Sequence, residues 1–218
     1  MPPDPLILAF DTSAAHCAAA LLLGDRVLAA RTEDMAKGQA ERLFGLLQDL
    51  LKSANKDWSD LTAIAVGTGP GNFTGIRISV SAARGLALSL GIPVIGVSTF
   101  DALAYDLPRP VIATIDARRG QTFAQLQDHD RPATTAIIDN VALPPGFQIA
   151  NATCVGASAG DFARQTGGQA ATPLYDLPVA LGLVAITKLG TDQPRPAPLY
   201  VRLPDAAPSS DPPPVIFA

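Results

Sequence analysis

The sequence predicts an α/β fold built as two related lobes, and three observations carry that reading. Apolar runs of strand length alternate with stretches of helical period between residues 6 and 97. The first run, Leu6 to Phe10, ends in Asp11. After Pro108 and Pro110 break the chain, Val111 to Ile115 ends in Asp116 in the same way. Residues 1–107 are therefore read as the first lobe, 108–204 as a smaller second lobe, and 205–218, mostly Ala, Pro, Ser and Asp, as a mobile tail.

The opening run is apolar throughout, as a strand buried on both faces requires, and it delivers the polar turn Asp11-Thr12-Ser13. Cys17 to Leu23 reads as a second strand, Gly24-Asp25 as a two-residue turn and Arg26 to Arg31 as a third strand, so the chain opens with an antiparallel meander. From Gln39 the period becomes helical. Leu43, Leu46, Leu47, Leu50, Leu51 and Ala54 share one stripe, with Glu41, Gln48, Asp49 and Lys52 off it. Leu61 to Val66 is then a strand, a glycine-rich turn follows, and Ile76 to Leu90 is a helix stopped by Gly91 and Pro93. Val94 to Val97 completes a strand, helix, strand, helix, strand unit. In the second half Thr122 to Gln127 pairs with Val111 to Ile115, Gln148 to Val155 reads as a strand and Ser158 to Gln165 as a short helix. Asp128 to Gly146 shows no clear period. Pro194, Pro196, Pro198 and Pro204 punctuate the C-terminal part and leave Leu199 to Leu203 as a short ordered segment.

Hydrophobic residues make up 48% of the 218 residues and charged residues 17%, enough for a large core and too apolar for a disordered chain. The formal charge of −4 gives no general attraction to phosphate backbones, so contact with nucleic acid is local or comes through a partner. Cys17 and Cys154 form no CxxC or zinc-ribbon spacing, which points to a reduced, cytoplasmic compartment. No basic leader is present at the N-terminus, and Asp11, His16 and Asp25 interrupt the apolar stretches, so neither a signal peptide nor a membrane span is expected.

The segment Gly67-Thr68-Gly69-Pro70-Gly71-Asn72-Phe73-Thr74-Gly75 lies between a strand and a helix. Glycines there permit close approach of a ligand to backbone N–H groups, and a helix N-terminus favours an anion. It is neither a Walker A loop nor a dinucleotide fingerprint. A nucleotide or phosphate site made of Asp11, Thr12, Ser13, Gly69, Gly71, Thr74 and Gly75 is one reading; a tight strand-to-helix connection with Asp11 capping a turn is the other. Asp116 with Arg118, Arg119 and Gly120 poses the same choice between anion binding and an ion-paired hairpin. His16 and His129 form no metal pair, both cysteines sit in apolar runs, and no nucleophile elbow occurs, so neither catalytic residues nor metal ligands are assigned. The apolar residues of Ile76 to Leu90 spread around the whole helix, so it needs cover on all sides, either from the Leu43 to Leu51 helix or from a partner. Ser79, Ala82, Ala83 and Gly85 are small enough to let another helix come close.

Five segments resemble the bacterial TsaB family in the expected order: ILAFDTS from Ile7, AVGTGPGNFTGIRIS from Ala65, GLALSLGIPVIGVSTFDALA from Gly85, IDARRGQTFAQ from Ile115, and PLYVR from Pro198. The resemblance implies an actin-like, sugar-kinase-like (ASKHA) two-lobed fold with a reduced second lobe. It implies the dimerisation subunit of the tRNA threonylcarbamoyladenosine machinery, pairing through a helical bundle with the catalytic subunit TsaD and joined by the ATPase TsaE. The complex moves threonylcarbamoyl to N6 of the adenosine beside the anticodon, and tRNA is met indirectly. The metal-binding histidines of TsaD have no counterpart in Lys37-Gly38-Gln39-Ala40-Glu41. Joined to the periodicity, the resemblance makes Leu43, Leu47, Leu50, Ile76, Val80, Ala83 and Ala87 the candidate docking residues. It implies no cofactor required by this chain, ATP or ADP at or near the partner interface, and a homodimer when the chain is alone. Two other readings are an autonomous ATP-binding kinase of the same fold and a peptidase, the second weakened by the missing nucleophile constellation.

Overall fold

A computed structural model describes residues 3–139 and 142–202. The first lobe runs β1 (Leu6–Asp11), β2 (His16–Leu23), β3 (Arg26–Asp34), α1 (Gln39–Ser53), β4 (Ala63–Gly67), α2 (Phe73–Leu90), β5 (Val94–Val97) and α3 (Thr99–Leu103). Its sheet has the order β3-β2-β1-β4-β5, antiparallel from β3 to β1 and parallel from β1 to β5. The second lobe runs β6 (Val111–Asp116), β7 (Gln121–Gln127), β8 (Thr134–Asp139), β9 (Thr153–Gly156), α4 (Ala159–Thr166) and β10 (Gln169–Ala171), in the order β8-β7-β6-β9-β10.

The two sheets therefore repeat each other strand for strand, with Asp11 and Asp116 at equivalent ends. The reduction is one helix: α1 links β3 to β4, whereas the described residues 142–152 between β8 and β9 hold no helix. The unperiodic stretch 128–146 contains β8, whose residues alternate too weakly to announce themselves.

The continuous apolar run of β1 is explained by cover on both faces. Leu6, Leu8 and Phe10 join Leu43, Leu46, Leu47 and the inner side of α2, while Ile7 and Ala9 join the helix α5 (Leu177–Lys188) on the other face. Each fully buried leucine contributes roughly 1.5–3 kcal/mol relative to exposure. The α2 helix starts at Phe73, three residues before the apolar pattern suggests. The Asn72 side chain caps it by accepting from the Gly75 N–H at 3.0 Å, and Gly91, at φ 65°, ends it.

The two sheets lie on either side of residue 107 in sequence, and two helices pack across that point. The helix α5 belongs by sequence to 108–204 yet packs on the first sheet, with Gly182 so close to the Leu22 side chain that a Cβ there would force Leu22 to shift. In the other direction, Phe100 of α3 and Ala104 just beyond it pack among Val111, Ala113 and Phe123 of the second lobe. Of the helices, α5 is the one covered nearly all round, buried from Pro178 to Ala185; α2 leaves Arg77, Ser81, Arg84, Gly85 and Leu88 in solvent. The tail 205–218 lies outside the described residues.

Candidate functional site: the glycine loop and two helix faces

At the end of β1, Asp11 and Thr12 are fully buried and Ser13 nearly so. One carboxylate oxygen, Asp11 Oδ1, accepts from the Ser13 N–H and Ser13 Oγ, both at 2.8 Å, and lies 2.8 Å from His16 Nε2. The other, Oδ2, is buried without a hydrogen bond among the described residues and fills the space beside Gly67 where a Cβ would sit. The turn packs directly on the glycine loop. Thr12 Oγ1 donates to the Gly75 carbonyl at 2.7 Å, the Asn72 N–H donates to the Ser13 carbonyl at 2.6 Å, and side chains at Gly71 or Gly75 would overlap the Ser13 and Thr12 carbonyls. Gly69, at φ 86°, is buried against Ile76, while Gly71 and Thr74 are exposed.

Close approach to the loop, the property that suggests a bound phosphate, is thus taken up by the chain's own β1–β2 turn. Of the seven residues proposed for an anion, Asp11, Thr12, Ser13 and Gly75 are buried in mutual contact, and Asn72 already caps Gly75 N–H. The geometry is that of the tight strand-to-helix connection. Asp116 behaves similarly: its Oδ1 accepts from the Arg118 N–H at 2.8 Å and closes a hairpin tip in which Arg118, Arg119 and Gly120 all have positive φ. Among the described residues no group of three or more His, Cys, Asp or Glu could hold a metal ion. Burial pushes the Cys17 thiol up to about 11, with Glu33 adding to the rise, and burial also raises Cys154.

The docking residues need correction. Leu43, Leu47, Leu50, Ile76, Val80, Ala83 and Ala87 are all buried in the chain's own core, because one apolar stripe per helix is what the sheet takes. Of the small residues, Ser79 and Ala83 are likewise interior. The surface offered to a partner is the opposite side. Phe44 of α1 is 49% exposed, Leu88 of α2 is 83% exposed, and a Cβ added at Gly85 would point into open space. Between the helices Phe44, Gly45, Gln48, Trp58, Leu86 and Leu90 line a cleft of about 490 Å3. Phe44 was legible as the aromatic that falls off the α1 stripe; Leu88 was lost among the other apolar residues of α2.

The short ordered segment expected at Leu199 to Leu203 has a role that the pattern does not announce. Residues 198–202 strap the lobes together: the Leu199 N–H donates to the Thr68 carbonyl at 2.8 Å, Tyr200 stacks on Phe73 at 5.1 Å, and Arg202 donates to the Ala117 carbonyl at 3.3 Å and to Gln121.

Two sheets of matching topology, each with a first strand ending in Asp, with α5 packed on the first sheet and α3 against the second lobe, define a two-lobed ASKHA-like fold. A protein-family model described as TsaD: tRNA N6-adenosine threonylcarbamoyltransferase matches residues 30–159, more than half of the chain. The chain is 38% identical over 122 residues to the Escherichia coli K12 tRNA threonylcarbamoyladenosine biosynthesis protein TsaB, covering 54% of this chain and 52% of that protein. It is 34% identical over 213 residues to the uncharacterized protein Rv3421c of Mycobacterium tuberculosis, covering 93% and 94%. The solved structure of YeaZ from Pseudomonas aeruginosa superposes with a TM-score of 0.68 at 28% identity, over 90% of this chain and 99% of that one. The chain belongs to the family that this model describes, and TsaB and YeaZ proteins are among the relatives it resembles. Its match spans about half the length of the curated TsaB relatives.

Proposed function

We propose that the chain is a non-catalytic scaffold subunit in tRNA threonylcarbamoyladenosine biosynthesis. It pairs with the catalytic subunit TsaD, with TsaE as the accompanying ATPase and tRNA met through the complex, in the cytoplasm. The observation that carries this is the outer surface of α1 and α2, where Phe44 and Leu88 stand exposed and α2 carries the small residues Ser81, Ala82 and Gly85. Large apolar side chains held in water on rigid helices are favourable only when covered, and small neighbours let a second helix approach within packing distance. The same surface serves a homodimer when the chain is alone.

The glycine loop is given a structural task in this reading: it seats the β1–β2 turn and fixes the start of α2. Nucleotide belongs to the assembled interface rather than to this loop, whose backbone is already covered by Thr12 and Ser13. The test is substitution on the exposed side. Phe44→Glu with Leu88→Glu should leave the chain folded and abolish co-elution with TsaD from the same organism. A folded double variant that still co-elutes would overturn the assignment of the surface. ATP turnover by the isolated chain would instead favour the autonomous kinase reading.

A further inference from the structure

The edge of the first sheet opposite β3 is β5, and beside it lies a cleft of about 620 Å3 between the C-terminal half of α2 and residues 188–195. The Ile64 N–H donates to the Pro93 carbonyl and the Thr68 N–H to the Val97 carbonyl, so the odd-numbered residues of β5 bond to β4. In a parallel ladder alternate residues direct their N–H and C=O groups to opposite sides. Val94 and Gly96 therefore direct theirs away from the sheet, and among the described residues they have no hydrogen-bond partner there. The neighbouring segment of the chain does not complete the edge: Pro194 lines the cleft, Pro196 lies against Gly96, and neither has an N–H to donate.

The cleft also has a charge. Arg84, Lys188 and Arg195 line it without any carboxylate, on a chain whose net charge is −4. Lys188 is shared with Asp101 at 3.5 Å, whereas Arg84 and Arg195 have no ion-pair partner among the described residues. Between the cations Leu88 and Ile92 give an apolar wall. We propose that this cleft docks an extended acidic peptide segment of another protein, which adds to β5 as a short extra strand. Its backbone would pair with Val94 and Gly96, and the alternate carboxylates on the side facing α2 would meet Arg84 and Arg195, their methylene groups resting on Leu88 and Ile92. A compact anion would satisfy the cations but leave the strand edge unpaired.

The probe is a fluorescein-labelled octapeptide alternating Glu with Val, titrated by anisotropy against the full chain at low salt, with its Lys/Val counterpart as control. Saturable binding of the Glu peptide is expected. Its affinity should be at least about tenfold above that of the Lys peptide, and should fall by a similar factor in the surface variant Arg84→Glu with Arg195→Glu. Hydrogen exchange should slow at the Val94 and Gly96 amides on binding. Absent binding, equal affinity for the two peptides, or no change in the variant would overturn the proposal. Charge-dependent binding without amide protection would overturn strand addition. Displacement of the probe by a synthetic peptide of residues 203–218 would assign the cleft to the chain's own segment and overturn an external partner.

Discussion

Arg77 on α2 donates from Nε to the hydroxyl of Tyr200 at 2.8 Å across 123 residues of sequence, with its guanidinium 3.9 Å above the centre of the Phe73 ring. Tyr200 stacks on the same ring, so the first turns of α2 and the C-terminal strap share one aromatic and cationic cluster. Leu199 and Val201 on either side of Tyr200 pack into the core of the second lobe. The strap thus couples the helix proposed to meet a partner to the far lobe. The Arg77 guanidinium also lies 5.9 Å from the centre of the Tyr200 ring, so Tyr200→Ala should cost about 1–2 kcal/mol, the sum expected of an aromatic pair and this cation–π contact, whereas Tyr200→Phe should lose only the hydrogen bond and cost under about 1 kcal/mol. Urea unfolding of the two variants checks the difference.

The buried and exposed sides of the docking helices should separate cleanly. Leu47→Ala removes a fully buried side chain packed between α1 and the sheet and should destabilise by roughly 2–5 kcal/mol. Val80→Asp should prevent folding by placing an unpaired carboxylate in the same core. Phe44→Glu, on the opposite face, should change stability by less than about 0.5 kcal/mol. Circular dichroism with thermal melting distinguishes the three.

Two glycines should respond in opposite directions. A methyl group at Gly75 would overlap the Thr12 carbonyl, so Gly75→Ala should destabilise by about 1–3 kcal/mol or more through displacement of the β1–β2 turn. Gly85 lies within α2 with open space around it, and Gly85→Ala should stabilise the isolated chain by up to about 1 kcal/mol. Melting temperatures of the two variants read the sign directly.

Cys17 titrates near 9.0 when unperturbed and near 11 in the folded chain, so the unfolded state loses its thiol proton first as pH rises. Folding stability should therefore be unaffected by this group below about pH 8 and fall between pH 9 and 11. Cys154 shifts in the same direction and adds to the loss. At pH 8 neither thiol should react with a disulfide reagent until the chain is denatured, when both should. Rapid labelling of the native chain would contradict the burial of these side chains.

Periodicity and turn chemistry made the first lobe legible almost element by element, since an amphipathic stripe and glycine stops leave a direct trace in the sequence. The helix α5 left none: eight consecutive buried residues have no polar face, and only Pro178 following Asp176 marks its start. The candidate site shows the converse error. Leu43 and Val80 stand out because they are periodic and apolar, but those same properties commit them to the core. The residues left for a partner are the apolar exceptions, Phe44 and Leu88. In the loop, the glycines were visible, but what approaches them was not, because Thr12 and Ser13 come from a turn more than fifty residues earlier.

The scaffold reading is tested most directly by size-exclusion chromatography with light scattering on the chain alone and mixed with TsaD from the same organism. A one-to-one heterodimer should replace the free species in the mixture. Independent elution of the two proteins, with and without ATP or ADP, would contradict it.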